Sequence, residues 1–440
     1  MYLYYTKFAI KMPLKHMKII VTADLHLNKS VYKGVMDKEH PLIPFRNVDF
    51  MKAFSYVCDK TIENKPDLMV IAGDVYDSHN PSNEIRGFFS SKLHKISSNK
   101  IPIIILVGNH DICRKHHALS SIHKLKLDNI TVIEKPTVIK FQGKNLILFP
   151  YTLDVEQKNI TIKNEFYKFI KEVNEKNQNK DSLFFGHFGV AGGKLNEFEE
   201  ETSSDEENGY GEVEIIKKSF FNRKKDDISL NDLDSIGSDY VFLGDYHRFQ
   251  ILPTKKCLAL YTGSLEKTDM SEKDAKKGFV LYDSDSVIDP KYGNCRFIEY
   301  PNTRSMLEFK GNLQEIRKAV EKMNPEKLKN SVVKLSFSGD KSELNDFNIK
   351  LDELKAQISK SIDPIHMYHT QKVTDKEQEL KAFKIEKEML KKGHLEASDV
   401  ETVIAEMIKE REEDPEEQKQ ILLLDKSIRD EIREKKMGMI

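Results

Sequence analysis

An α/β fold built on a parallel sheet is what three features of this sequence predict. Short apolar, β-branched runs recur at Lys18–Ala23, Asp67–Ala72 and Ile101–Val107. Stretches with apolar residues at helical spacing separate them, first from Phe45 to Asn64 and then from Pro81 to Ser97. Each run stops at a polar cluster: Asp24-Leu25-His26, Gly73-Asp74, and Gly108-Asn109-His110-Asp111. Runs too short for a capped helix and apolar throughout read as parallel strands buried on both faces. Helices between them supply the right-handed crossovers that parallel strands need. Ligands bind open α/β sheets at the carboxyl ends of the strands, so the polar clusters are expected to share one edge.

The elements follow in order. Residues 1–16 precede Met17, which opens the first strand directly. Their apolar segment is short, interrupted by Lys7 and Lys11 and without a small-residue cleavage site, which argues for a disordered extension or an upstream start codon and against a signal peptide. Val48, Met51, Val57, Cys58 and Ile62 mark the core-facing side of the first helix. A short helix is predicted at Ala118–Leu127; His94, His116, His117 and His123 read as surface or packing residues. Strands at Ile130–Ile133, Thr137–Phe141 and Leu146–Pro150, with a turn at Gly143, bring antiparallel pairing into the second half. A helix near Phe166–Val173 leads to the strand Leu183–Phe185, which delivers His187; Tyr240–Leu243 then delivers Asp245 and His247. Between them Glu197–Asp239 reads as a polar insertion with an acidic run, expected to be a solvated loop, and a basic cluster that either touches phosphates or is pinned by Phe220 and Phe221. Strands Leu258–Tyr261 and Gly278–Tyr282 flank Gly263-Ser264 and close a first domain, residues 17–300.

Residues 301–371 carry a strand-like run, Val332–Phe337, and helical stretches at Leu313–Met323 and Leu344–Ile358, which predicts a small separate α/β domain. Residues 372–440 are charged and helix-forming. Their apolar stripes (Val403, Ile404, Met407, Ile408, then Ile421–Leu424, Ile428 and Ile432) are too sparse for a core, and docking on a partner is favoured over a solvated appendage.

Composition narrows the function. With 70 basic against 71 acidic residues, bulk charge does not drive nucleic-acid binding; local patches or a partner must. The four cysteines form no CxxC pair, so neither a zinc ribbon nor a disulfide framework is indicated, and a reducing, cytoplasmic setting is expected. No apolar run approaches the length needed to span a bilayer.

Five strands thus end in metal-ligand residue types. Three carboxylates, three imidazoles and one amide make a hard-to-borderline donor set suited to Mn²⁺, Fe²⁺ or Zn²⁺. One ion leaves ligands over. Two ions sharing a carboxylate, roughly 3.5 to 4 Å apart, account for them and form the usual clamp for in-line attack at phosphorus.

The motifs DxH, GDxxD, GNHD, a later histidine and GxxH, spanning about Met17 to Asp283, resemble those of the calcineurin-like metallophosphoesterases. GDVYDSHNPS and GNHD set the chain apart from protein serine/threonine phosphatases. The segment YTGSLEKTDMSEKDAKKGFVLYD is similar to the nuclease subunits of SbcCD-type DNA-repair and phage recombination complexes. The resemblance implies a four-layer αββα sandwich with a small capping domain and a helical tail. It implies that Asp24, His26, Asp74 and His247 hold one Mn²⁺, and that Asp74, shared, holds a second with Asn109, His187 and Asp245. His110 would stand over the scissile phosphate and protonate or stabilise the leaving oxygen, a role suited to an imidazole. Asp77 and His79 are further candidates for phosphate contacts. Where the family usually has GHxH this chain has GDYH, so Asp245 stands in a histidine's place. The implied activity is DNA exo- and endonuclease, with a coiled-coil ATPase of SbcC type bound to the tail and dimerisation a family trait. The alternatives are a small-substrate phosphodiesterase or phosphatase, and a degenerate phosphoesterase serving as a scaffold.

Overall fold

A computed structural model describes residues 16–373 apart from 30, 33–34, 41–42, 114–115, 126–128, 159, 192–227, 286–292, 325–328, 340 and 363. The acidic run, the basic cluster and the tail's apolar stripes lie outside the described residues.

The first half runs β1 (Lys18–Thr22), α1 (Phe45–Asn64), β2 (Leu68–Ala72), α2 (Asn83–Ser98) and β3 (Ile103–Leu106). A two-residue ladder, β4 (Ile112–Cys113) with β5 (His116–His117), precedes α3 (Ser120–Leu125), β6 (Ile130–Ile133), β7 (Thr137–Phe141) and β8 (Lys144–Phe149). Then come α4 (Leu153–Lys158), α5 (Ile162–Glu175), β9 (Ser182–His187), α6 (Leu230–Ile236), β10 (Tyr240–Gly244), β11 (Gln250–Leu252), β12 (Leu258–Tyr261), β13 (Gly278–Asp283) and β14 (Cys295–Glu299). Among the described residues these make two six-stranded sheets, ordered β14-β13-β1-β2-β3-β6 and β11-β12-β10-β9-β8-β7. Strands β1, β2, β3 and β6 are parallel, as are β8, β9, β10 and β12; antiparallel pairs close the edges. The predicted parallel centre and later antiparallel pairing are both present.

Alternation along each strand explains why the runs are apolar throughout. Ile20, Met69, Ile71, Ile103 and Ile105 pack against Phe50, Phe54 and Val57 of α1 and Phe89 and Leu93 of α2. Their neighbours Ile19, Val21, Val70 and Leu106 meet Leu148, Phe185, Phe242 and Leu260 of the second sheet. That sheet's far face, Ile147, Phe184 and Val241, is covered by Phe166 and Ile170 of α5 and Leu233 and Ile236 of α6. The result is the predicted four-layer αββα sandwich. Each large side chain sealed between layers contributes about 1.5–3 kcal/mol, and no strand face needs to be polar.

Helix α6 and strand β14 are among the elements without a clear signal in the sequence. Helix α6 lies in the stretch read as polar insertion, started by a capping box in which Ser229 accepts from Asp232 N and Asp232 accepts from Ser229 N. It buries only Leu233 and Ile236, too little for a visible period. Strand β14 alternates on a sheet edge and so lacks the continuous apolar run. Elsewhere Ser82 caps α2 through Ile85 N, where the sequence places the helix start.

Past Tyr300 come β15 (Met306–Gly311), α7 (Leu313–Glu321), β16 (Val332–Gly339), α8 (Lys341–Ile362) and β17 (His366–Val373), with the strands in the order β15-β16-β17. The described chain forms two compact units: the first reaches Phe309 and includes 317–335 and 353–369, and the second takes 310–316, 336–352 and 370–373. Among the described residues no helix is long and apolar enough to cross a membrane.

Candidate metal centre

Strands β1, β2, β3, β9 and β10 deliver their polar clusters to one point at their carboxyl ends. Directly after the strands the backbone turns left-handed, at Asp24 (φ 51°), His26 (φ 41°), Asp74 (φ 50°) and Asp245 (φ 103°). Such conformations are costly for non-glycine residues and persist where surrounding bonds over-determine them. Here Asp24 N donates to Gly73 O at 3.1 Å and His26 N to Asp74 O at 3.1 Å, lacing the first two loops together. Two glycines make the approach possible: a Cβ at Gly73 would enter the His187 ring, and one at Gly108 would overlap Asp74.

Asp111 ties the second and third loops. Fully buried, it accepts from Gly108 N (3.0 Å), Tyr76 N (3.0 Å) and Val75 N (3.3 Å). Burial, with the Asp74 carboxylate adding to it, pushes its carboxyl up to about 7. In the sequence this residue is visible only as the last letter of GNHD, with no role attached; its role is to fold the loops that present Asp74 and Asn109.

Among the described residues four trios have ligand atoms mutually within 4.8 Å, and three belong to this cluster: Asp24, His26 and His247; Asp24, Asp74 and His187; and His26, Asp74 and His110; the fourth is Asp37, Glu39 and His40. Asp74 looks two ways, with Oδ1 3.3 Å from His187 Nε2 and Oδ2 3.8 Å from His26 Nε2. Asn109 Oδ1 lies 2.9 Å from His187 Nε2, and the Nε2 atoms of His26 and His247 stand 2.9 Å apart. His110 is exposed; its ring crosses His26 edge-on at 4.9 Å, its backbone N–H donates to Asp74 Oδ1 at 2.9 Å, and its Nδ1 meets Asp77 O at 3.0 Å. Asp245 enters through its main chain: its N–H donates to Asp24 Oδ1 at 3.1 Å, while among the described residues its carboxylate belongs to none of the trios. Asp77 is 3.3 Å from His26 Nδ1 and 2.7 Å from Lys29 Nζ, so it steadies a ring of the cluster. His79 is exposed.

The donors fit a cation. His187 Nδ1 donates to Ala72 O at 2.8 Å, which leaves Nε2 facing two oxygen acceptors, Asn109 and Asp74; a proton or a cation has to stand among them. Burial alone would lower His187, but the Asp74, Asp24 and Asp245 carboxylates outweigh it and lift the imidazole to about 10. Asp24 also moves up: burial raises it to about 6, with Asp74 and Asp245 adding to that. Such a crowd of buried negative charge is stabilised by divalent cations, and its mixed O and N donors suit Mn²⁺, Fe²⁺ or Zn²⁺.

The chain is similar to the D subunit of the SbcCD nuclease of Staphylococcus epidermidis, 25% identical over 315 residues that cover 68% of this chain and 74% of that one. Among solved structures it aligns with TT1561 of Thermus thermophilus (TM-score 0.33, 11% identity, 60% of this chain and 93% of the other). It also aligns with GAP50, the anchor in the inner membrane complex of Plasmodium (TM-score 0.35, 12% identity, 66% and 90%). The sequence pattern described as calcineurin-like phosphoesterase matches residues 17–249, more than half of the chain and every strand end described above, and the chain belongs to that family.

Proposed function

We propose that the protein is a Mn²⁺-dependent DNA nuclease subunit that hydrolyses phosphodiester bonds with a coiled-coil ATPase partner. The observation that carries the hydrolytic part is the two-way placement of Asp74 between His187 and His26. The similarity to an SbcCD nuclease subunit supports DNA as substrate and an SbcC-type partner. In this reading Asp24, His26, Asp74 and His247 hold one ion, and Asp74, Asn109, His187 and Asp245 the other. Bound there, the pair supplies Lewis-acid polarisation at phosphorus and a clamp on the attacking and leaving oxygens. The chain's own contribution is orientation: Ala72 O fixes the tautomer of His187, Asp77 O holds His110 by its Nδ1–H, and the exposed His110, in its doubly protonated form, would give the Nε2 proton to the leaving oxygen.

Incubating the purified full chain with duplex and single-stranded DNA, with Mn²⁺ and with Mn²⁺ plus chelator, tests the reading. Cleavage that chelator stops is expected. Hydrolysis of small phosphoesters alone would favour a small-substrate enzyme, and inactivity on both a scaffold.

Two further results are expected. Asp245→Ala keeps the main-chain N–H on Asp24, so it isolates the carboxylate: one of two Mn²⁺ sites should weaken about tenfold or more while the other is unchanged. Two parental affinities and a parental rate would remove Asp245 from the ligand set. A chain ended at Gln371 should keep both ions yet fail to co-purify with the ATPase, because the apolar stripes after Val403 are gone; undiminished association would move the partner surface elsewhere.

A further inference from the structure

The return segment after β12 carries a pair of buried charges that the ligand set does not use. Glu272 sits on a short 3₁₀ turn, Met270–Glu272, and Lys277 just before β13; they are 4% and 1% exposed. Their side chains pair at 2.7 Å through Glu272 Oε2. Both also reach the same residue. Glu272 Oε1 accepts from the His247 ring at Nδ1 (2.9 Å), while Lys277 Nζ donates to the His247 backbone carbonyl (3.0 Å) and to Ser264 Oγ (3.0 Å). Thr268 fixes the carboxylate by donating its N–H to Oε2 (2.7 Å) and its hydroxyl to Oε1 (2.8 Å). Ser264 N adds a second donor to the His247 carbonyl at 3.0 Å.

We infer that Glu272 and Lys277 act as one positioning device for His247, holding its ring by Nδ1 and its main chain by the carbonyl so that Nε2 is aimed, as a lone pair, at the metal centre. The inference rests on the reading of His247 as a ligand. A buried ion pair is costly unless both partners make further bonds. Here each does, and those bonds converge on one side chain whose orientation matters. A carboxylate accepting the distal N–H of a ligating histidine sets its tautomer and raises its basicity. Structural burial alone would not require both charges to address residue 247.

The test is calorimetric titration of the metal-free full chain with Mn²⁺, comparing the parent with Glu272→Gln, Glu272→Ala and His247→Ala. Glu272→Gln keeps shape and fold but sets an amide N–H against either His247 Nδ1–H or the Lys277 ammonium. One of the two ions is expected to bind roughly 10- to 100-fold more weakly in both Glu272 variants, with the other unchanged. Formate, entering the space left in Glu272→Ala, is expected to restore it. Parental affinity at both sites in the Glu272 variants overturns the positioning role, and so does equal weakening of both sites together with a lowered melting temperature of the metal-free protein. If His247→Ala itself binds both ions as the parent does, the ligand reading falls instead, and the two failures stay distinguishable.

Discussion

His110→Ala is expected to slow cleavage of DNA by roughly 10²- to 10⁴-fold while two Mn²⁺ ions bind as in the parent. The ring is exposed, edge-on over His26, and held by Asp77 O at Nδ1. What His110 gives the donor cluster is its backbone N–H on Asp74 Oδ1, which alanine keeps. The loss should therefore fall on kcat and not on metal stoichiometry. It should also depend on the leaving group: a phosphodiester of a nitrophenol, which departs without a proton, should lose far less than DNA. Because His110 also lies in a trio with His26 and Asp74, the alternative is concrete. If calorimetry shows one ion missing in His110→Ala, the residue is a ligand and proton delivery must be reassigned.

How much of this is legible in the sequence depends on how each residue is placed by the fold. Strands sealed on both faces must be apolar at every position, so β1, β2 and β3 announce themselves, and the first polar residues after them have to mark the sheet's carboxyl edge. That is why Asp24, His26, Asp74, Asn109, His110, His187 and His247 are legible, and why the structure brings them together. Residues that work one step behind the cluster carry no such signal. Glu272 and Lys277 lie 25 and 30 positions after His247, in a turn rich in ordinary surface residue types, and only three-dimensional packing reveals that they are buried and aimed at it. Asp111 shows the same limit in another form, since its motif is visible but its bonds to three loop amides are not. With Asp245 the residue type suggests a side-chain ligand, whereas its bond to Asp24 is made by the backbone N–H, which any residue but proline could supply.

The proposed sharing of Asp74 yields the largest expected effect on metal binding. Its Oδ1 faces His187 Nε2, the nitrogen that Asn109 also meets, and its Oδ2 faces His26, so removing it strips one donor from each proposed site at once. Asp74→Ala is expected to lose both ions, and with them all chelator-sensitive hydrolysis. The loss can be read without an activity assay. A ligand that binds only the folded chain stabilises it by about 2.7 kcal/mol at a hundredfold excess over Kd, so Mn²⁺ should raise the parent's melting temperature progressively with its concentration and leave that of Asp74→Ala unmoved. Asp74→Asn separates charge from shape, because the amide oxygen can still accept the His110 N–H at Oδ1. It should fold like the parent and retain at most one ion, the one reached by the remaining oxygen. Should Asp74→Ala keep either ion at parental affinity, the carboxylate is not shared, and the centre consists of two independent sites rather than one bridged pair.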